Sequence, residues 1–152
     1  MSASAFVPHD FVVPQGLSGE GFRLEPLNAR HNEADHAAWM SSIEHIQATP
    51  GFQGSSWPPS SGMSLEENLR DLNRHADDFA KRSSFTYSVL DDGDQVIGCV
   101  YIYPPRTEDQ ATQVSSWVRA DRRELDGPLR DAVSAWLSST WPFEHVDYRS
   151  GT

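Results

Sequence analysis

Phe85-Thr86-Tyr87-Ser88-Val89-Leu90, Asp91-Asp92-Gly93-Asp94 and Gln95-Val96-Ile97-Gly98-Cys99-Val100-Tyr101-Ile102-Tyr103 follow one another without a break, and their reading decides the fold. Two runs rich in β-branched and aromatic residues flank an Asp-Gly pair. Those residue types tolerate the backbone of a tight hairpin turn, so the stretch predicts two antiparallel strands. The second run is apolar on both faces, as suits a central strand covered above and below. Pro104-Pro105 ends it, and residues 111–118 alternate as a third strand of the group.

Working outward, Leu125, Leu129, Val133, Trp136 and Leu137 recur at helical spacing, and Trp141-Pro142 closes that helix before a short last strand over residues 143–148. Upstream of the hairpin, Ser64 and Glu67 have capping-box spacing, and Leu65, Leu69, Leu72, Ala76 and Phe79 continue a helix from it. An earlier helix is predicted over residues 28–46, with His36, Trp39, Met40 and Ile43 on one face. Thr49-Pro50-Gly51 stops it, and a Gly/Ser/Pro loop over residues 52–63 carries Trp57. Phe22-Arg23-Leu24-Glu25-Pro26-Leu27 alternates as a strand. Residues 1–21, with Pro8, Pro14, Gly16 and Gly19, read as an extended N-terminal arm lying along a single domain of residues 22–152. The order β-α-α-β-β-β-α-β is that of a mixed α+β fold.

Composition excludes several classes. The chain of 152 residues has 12 basic and 22 acidic residues, hence 12 − 22 = −10, with no basic run of the kind that displaces counterions from nucleic acid. An acidic surface favours solubility and cationic partners such as amines. A single cysteine, Cys99, sits in an apolar run and reads as a buried structural thiol, not part of a disulfide framework. His9, His31, His36, His45, His75 and His145 lack the spacing that sets two imidazoles on one helix face, so no metal site is predicted. No stretch has the length of a membrane span or the charge pattern of a signal peptide, and a cytoplasmic protein is the expectation.

Three pieces carry a resemblance to a known family: the opening strand with two helices after it, Val96-Ile97-Gly98 following the Asp-Gly turn, and Ser116-Trp117-Val118-Arg119-Ala120-Asp121-Arg122-Arg123. Over residues 22–148 they resemble the GNAT acetyltransferases. The resemblance implies a central, mostly antiparallel sheet with helices on both faces and acetyl-CoA as the cofactor. The acyl-CoA site would then comprise Trp117, Val118, Arg119, Arg122, Arg123 and Gly127.

The family's diphosphate loop has the pattern Arg/Gln-x-x-Gly-x-Gly/Ala, whose amides face an anion from a helix N-terminus. The matching residues here are Arg123-Glu124-Leu125-Asp126-Gly127-Pro128; shifting by one residue gives Glu124-x-x-Gly127-x-Leu129, which loses the basic residue instead. Asp126 sets a like charge near the diphosphate, worth about 4 kcal/mol of repulsion at about 4 Å in a surface-like dielectric. Pro128 lacks an N–H to donate. As N-cap and early-turn residue, the two make a good helix start. Family members also continue past the fifth strand, whereas this sequence stops at Thr152, which predicts an open sheet edge covered by the arm or by a second copy in a homodimer.

The resemblance further implies an acceptor pocket between the helical pair and the sheet, with Trp39, Trp57, Tyr101 and Tyr103 as its candidates and Glu44 or Tyr101 as the acid–base group. Two functions follow. One is a GNAT-like protein with a degenerate diphosphate loop, weak or silent in catalysis, that serves as a binding or dimerisation module. The other is an acetyl-CoA-dependent N-acetyltransferase for a small amine. Fold alone does not choose between them.

Overall fold

The computed structural model describes residues 6–107 and 111–148. The last four residues of the predicted domain and the first five of the arm lie outside them. One six-stranded sheet runs in chain order: β1 (Leu17–Gly19), β2 (Phe22–Pro26), β3 (Phe85–Leu90), β4 (Val96–Tyr103), β5 (Thr112–Val118) and β6 (Val146–Tyr148). Neighbours are antiparallel except β5 and β6, which are parallel. Helices α1 (Asn32–Met40), α2 (Ile43–Ala48) and α3 (Leu65–Ala80) precede the hairpin, and α4 (Asp126–Thr140) follows β5.

The sheet separates two cores, and strand alternation assigns side chains to them. Phe85, Tyr87, Val89, Val100 and Ile102 meet Leu129, Val133 and Leu137 of α4 on one face. Cys99, Tyr101 and Trp117 meet Ala38, Trp39, Ile46 and Leu72 on the other. A register shift opposite Val89 and Leu90 sends Ile97 to the α4 face and Val96 to the α1 face, so both adjoining residues are buried. At Gly98 the backbones are so close that a Cβ would overlap the Trp117 carbonyl oxygen.

Four expectations need correction. The helix predicted over residues 28–46 is a 3-10 turn (Ala29–His31) followed by α1 and α2, broken at Ser41 and Ser42. There Ser41 Oγ donates to the Ala38 carbonyl at 2.8 Å, and the Ser42 Oγ accepts from the Ala120 amide at 2.9 Å. These hydroxyls offer the backbone bonds that compete with a continuing helix. The arm is not merely extended: Leu17–Gly19 pairs with β2, at the opposite edge from β6, so it does not cover the β6 side. The third strand begins at Thr112 instead of Ala111. Finally, Asp126 is the first residue of α4, not its N-cap; Leu125 precedes it, and the Asp126 carboxylate accepts from Arg130 Nε at 3.2 Å.

Candidate functional site

A cavity of about 660 Å³ opens between α3, the loop after α2 and the far ends of β4 and β5. Its volume is typical of small-molecule sites. Odd-numbered positions of the two strands, Tyr101, Tyr103, Gln113 and Ser115, face it because side chains alternate across a sheet. Phe52 and Trp57 supply the loop wall, with ring centroids 5.9 Å apart and each about 6 Å from the Tyr101 ring.

The buried carboxylate of this cavity is Asp35, on α1, 5% exposed. Asn68 Nδ2 donates to its Oδ2 at 3.1 Å. Asn68 is itself fixed: its Oδ1 accepts from Trp39 Nε1 at 3.0 Å, and Nδ2 also donates to Asn32 Oδ1 at 2.9 Å. Burial raises the Asp35 pKa to about 6, partly offset by the Asn68 hydrogen bond. The group is therefore an anion at neutral pH and a neutral acid slightly below it.

Around it the other buried titratable groups stay uncharged. Burial lowers the His75 pKa, with help from nearby Arg74, and its Nδ1 lies 3.2 Å from Thr86 Oγ1. Burial lifts the Tyr101 hydroxyl far above its ordinary range; its oxygen accepts from Trp117 Nε1 at 3.0 Å. Cys99 is raised likewise, which removes any thiolate.

The candidates named from the sequence thus separate into groups. Trp57, Tyr101 and Tyr103 line the cavity. Trp39 stands behind the wall, fully buried and packed 5.5 Å from Trp57, where it holds Asn68. Glu44 is exposed on α2 and does not line this cavity. Asp35 is not among those candidates because, read along the chain, it is one more acidic residue on an amphipathic helix; only the packing of α1 on α3 and β4 buries it.

The acyl-CoA candidates lie around the end of β5. Arg119 N donates to the Ile97 carbonyl at 2.8 Å and Thr112 N to the His145 carbonyl at 2.9 Å. Alternation then turns the main-chain groups of Ser116 and Val118 away from β4. The paired part of β6 ends beside Val114, so among the described residues no strand lies next to them. Such an edge fits the amides of a pantetheine arm.

The diphosphate candidates lie in the loop before α4. The loop is a 3-10 segment (Ala120–Leu125), in which the Arg122 amide donates to the Arg119 carbonyl and the Asp126 amide to Arg123. Arg119 is paired with Asp121 at 2.6 Å and Arg122 with Asp91 at 2.5 Å. Asp126 and Pro128 occupy the first turn of α4. Gly127 and Arg123 are exposed, and a Cβ at Gly127 would meet nothing within 4 Å. Trp117 is wholly buried under Tyr101, and Val118 lies in the α4 core. Two amides and two of the three candidate arginines are thus engaged within the protein, whereas Arg123 has no ion pair among the described residues.

No family model and no curated protein matches the sequence. Solved structures do. The chain is similar to RimL, a ribosomal L7/L12 α-N-protein acetyltransferase in complex with coenzyme A (TM-score 0.61, 14% identity, 78% of this chain and 62% of that one). It is similar to the microcin C7 self-immunity acetyltransferase MccE in complex with acetyl-CoA and AMP (TM-score 0.64, 12% identity, 83% and 66%). A third is the ribosomal-protein-S5-alanine acetyltransferase from Vibrio fischeri (TM-score 0.62, 15% identity, 80% and 66%). The chain spans less than two thirds of the length of each. At this identity the likeness is one of fold, and the fold is that of the GNAT acetyltransferases.

Proposed function

We propose that the chain is a GNAT-fold small-molecule-binding protein whose grip on the nucleotide end of acetyl-CoA has degenerated, leaving acetyl transfer weak or silent. The observation that carries this reading is the start of α4, where Asp126 and Pro128 stand in the first turn and Arg119 and Arg122 are already paired with carboxylates. The cavity beneath Trp57 and Tyr101 is the ligand site. Keeping an ionisable group as buried as Asp35 there is costly, which argues that the cavity is used.

Calorimetry tests the reading. Coenzyme A is expected to bind no more tightly than pantetheine, because its diphosphate gains nothing from the loop. Coenzyme A binding at least about a hundredfold tighter than pantetheine, equal to about 2.7 kcal/mol of diphosphate recognition, would refute it. The double variant Asp126→Gly with Pro128→Gly is expected to gain affinity for coenzyme A while leaving pantetheine unchanged.

A second reading, an acetyl-CoA-dependent N-acetyltransferase for a small amine, draws support from the outward main chain of Ser116 and Val118 close to the cavity-lining Ser115. Turnover of acetyl-CoA in the presence of a small amine would favour it.

A further inference from the structure

The cavity orders its charges by depth. At its floor are Asp35, Asn68, Leu72 and Tyr101, all buried; at its mouth are Arg74, Tyr103 and Arg106, all exposed. Of the two Asp35 oxygens, Oδ2 accepts from Asn68, and no described group donates a hydrogen bond to the other. An anion in that state, walled by Phe52, Trp57 and Tyr101, suits an ammonium group, which gains both the carboxylate and the aromatic faces.

The mouth has the opposite character. Arg74 approaches Asp71 only to 3.7 Å, beyond a good hydrogen bond, and its side chain is largely exposed, so that pair is weak. Arg106 has no carboxylate partner among the described residues. With His75 neutral, the lining holds two carboxylates, Asp35 and Asp71, against two guanidinium groups, Arg74 and Arg106. This balance departs from the strongly acidic chain around it. A simple monocation would be drawn to the floor and repelled at the mouth.

We propose that the ligand of this cavity is a zwitterion of the ω-amino acid class, its primary ammonium group on Asp35 and its carboxylate at the mouth against Arg74 and Arg106. The inference rests on reading the cavity as a ligand site and is independent of whether a thioester is ever used. The spacing decides between zwitterions. Asn68, which is hydrogen-bonded to Asp35, and Arg74 both stand on α3, six residues apart, so the two ends are offset by about 9 Å along the helix axis. An α-amino acid, whose two charged groups share one carbon, cannot reach both ends; a slim chain with terminal charges does.

The test is calorimetry on the full chain near neutral pH, with no thioester present, using ε-aminocaproate, hexylamine and caproate. ε-Aminocaproate is expected to bind, hexylamine to bind at least about fivefold more weakly, as loss of an exposed ion pair gives, and caproate to give no heat. Asp35→Asn should abolish binding of both amines. Arg106→Gln should weaken ε-aminocaproate severalfold without weakening hexylamine, a selective loss that misfolding does not produce. Hexylamine as tight as ε-aminocaproate, Arg106→Gln leaving ε-aminocaproate unchanged, or silence with all three ligands would each overturn the proposal. The coenzyme A comparison above is unaffected by any of these results, so the two readings fail separately.

Discussion

Because Asp35 is buried and Asn68 hydrogen-bonds only one of its oxygens, its ionised form gives up most of its hydration on folding and recovers part of it. A carboxyl whose pKa rises from 3.8 to about 6 binds its proton more tightly in the folded state. Its contribution to stability is therefore fully present below about pH 4 and is lost as pH rises through about 6. At neutral pH the loss amounts to about 3 kcal/mol, from roughly 1.4 kcal/mol for each pKa unit. Asp35→Asn keeps the shape and removes the charge, so it should raise stability by about 1–3 kcal/mol at pH 7.5 and confer no advantage at pH 4. Urea unfolding of both proteins across that range measures the difference. The lowered pKa values of His31 and His75 act on both proteins alike and cancel. No gain at pH 7.5 would mean that the carboxylate is compensated by contacts other than Asn68.

Another residue-scale arrangement has the look of chemistry but not its conditions. Ser88 Oγ lies 3.1 Å from His31 Nδ1, and His31 Nε2 lies 3.6 Å from Glu25 Oε1. The order serine, imidazole, carboxylate matches a nucleophilic triad. Ser88, however, is 0% exposed in the middle of β3 and lines no part of the cavity, and the same Nδ1 accepts from the Asn28 amide at 3.3 Å. His31 is a capping residue for the turn before α1, and its neutral form is what that turn needs.

At the scale of elements, β4 is the piece on which everything else is registered. Its pairing with β5 depends on Gly98, where a methyl group would overlap the Trp117 carbonyl oxygen. Gly98→Ala should cost about 1–3 kcal/mol, the usual range for overpacking. It should also loosen the Trp117–Tyr101 hydrogen bond and with it the cavity floor. Tryptophan fluorescence during denaturant unfolding reads both effects, and an unchanged midpoint would show that β4 and β5 can separate cheaply.

The hairpin and β5 are legible in the sequence because alternation and turn chemistry there agree with the tertiary fold. So is α3, whose Ser64 and Glu67 form the expected reciprocal cap. The break between α1 and α2 is not, since it arises from two serine hydroxyls, one of them engaged by Ala120 far along the chain. Nor is Asp35, whose environment is created by α3 and β4 rather than by its neighbours in sequence. The aromatic cavity wall is partly legible: Trp57, Tyr101 and Tyr103 follow from a family likeness, and the separate position of Trp39 depends on its bond to Asn68.

For the whole molecule, the N-terminal arm closes the α4 core. Val7 is buried, Phe6 stacks on Phe143 with centroids 5.0 Å apart, and Phe11 packs 5.4 Å from Trp141. Tyr87 donates to the Pro14 carbonyl at 2.6 Å, and Arg82 donates to the Pro8 carbonyl at the same distance. The arm thus covers Phe85, Tyr87 and Trp141 from outside before β1 joins the sheet, on the face opposite the cavity. Removing residues 1–14 uncovers those rings and strips the Tyr87 hydroxyl of its acceptor. A buried valine and two half-buried phenylalanines at about 1.5–3 kcal/mol each when fully buried suggest a loss of about 3–6 kcal/mol. Because the arm and the cavity lie on opposite faces, the shortened protein should melt well below the full chain yet, at a temperature where it is still folded, bind ε-aminocaproate with undiminished affinity. Equal melting temperatures would show that the arm is dispensable packing, and a large loss of affinity in the folded, shortened protein would show that the two faces of the sheet are coupled through β3 and β4.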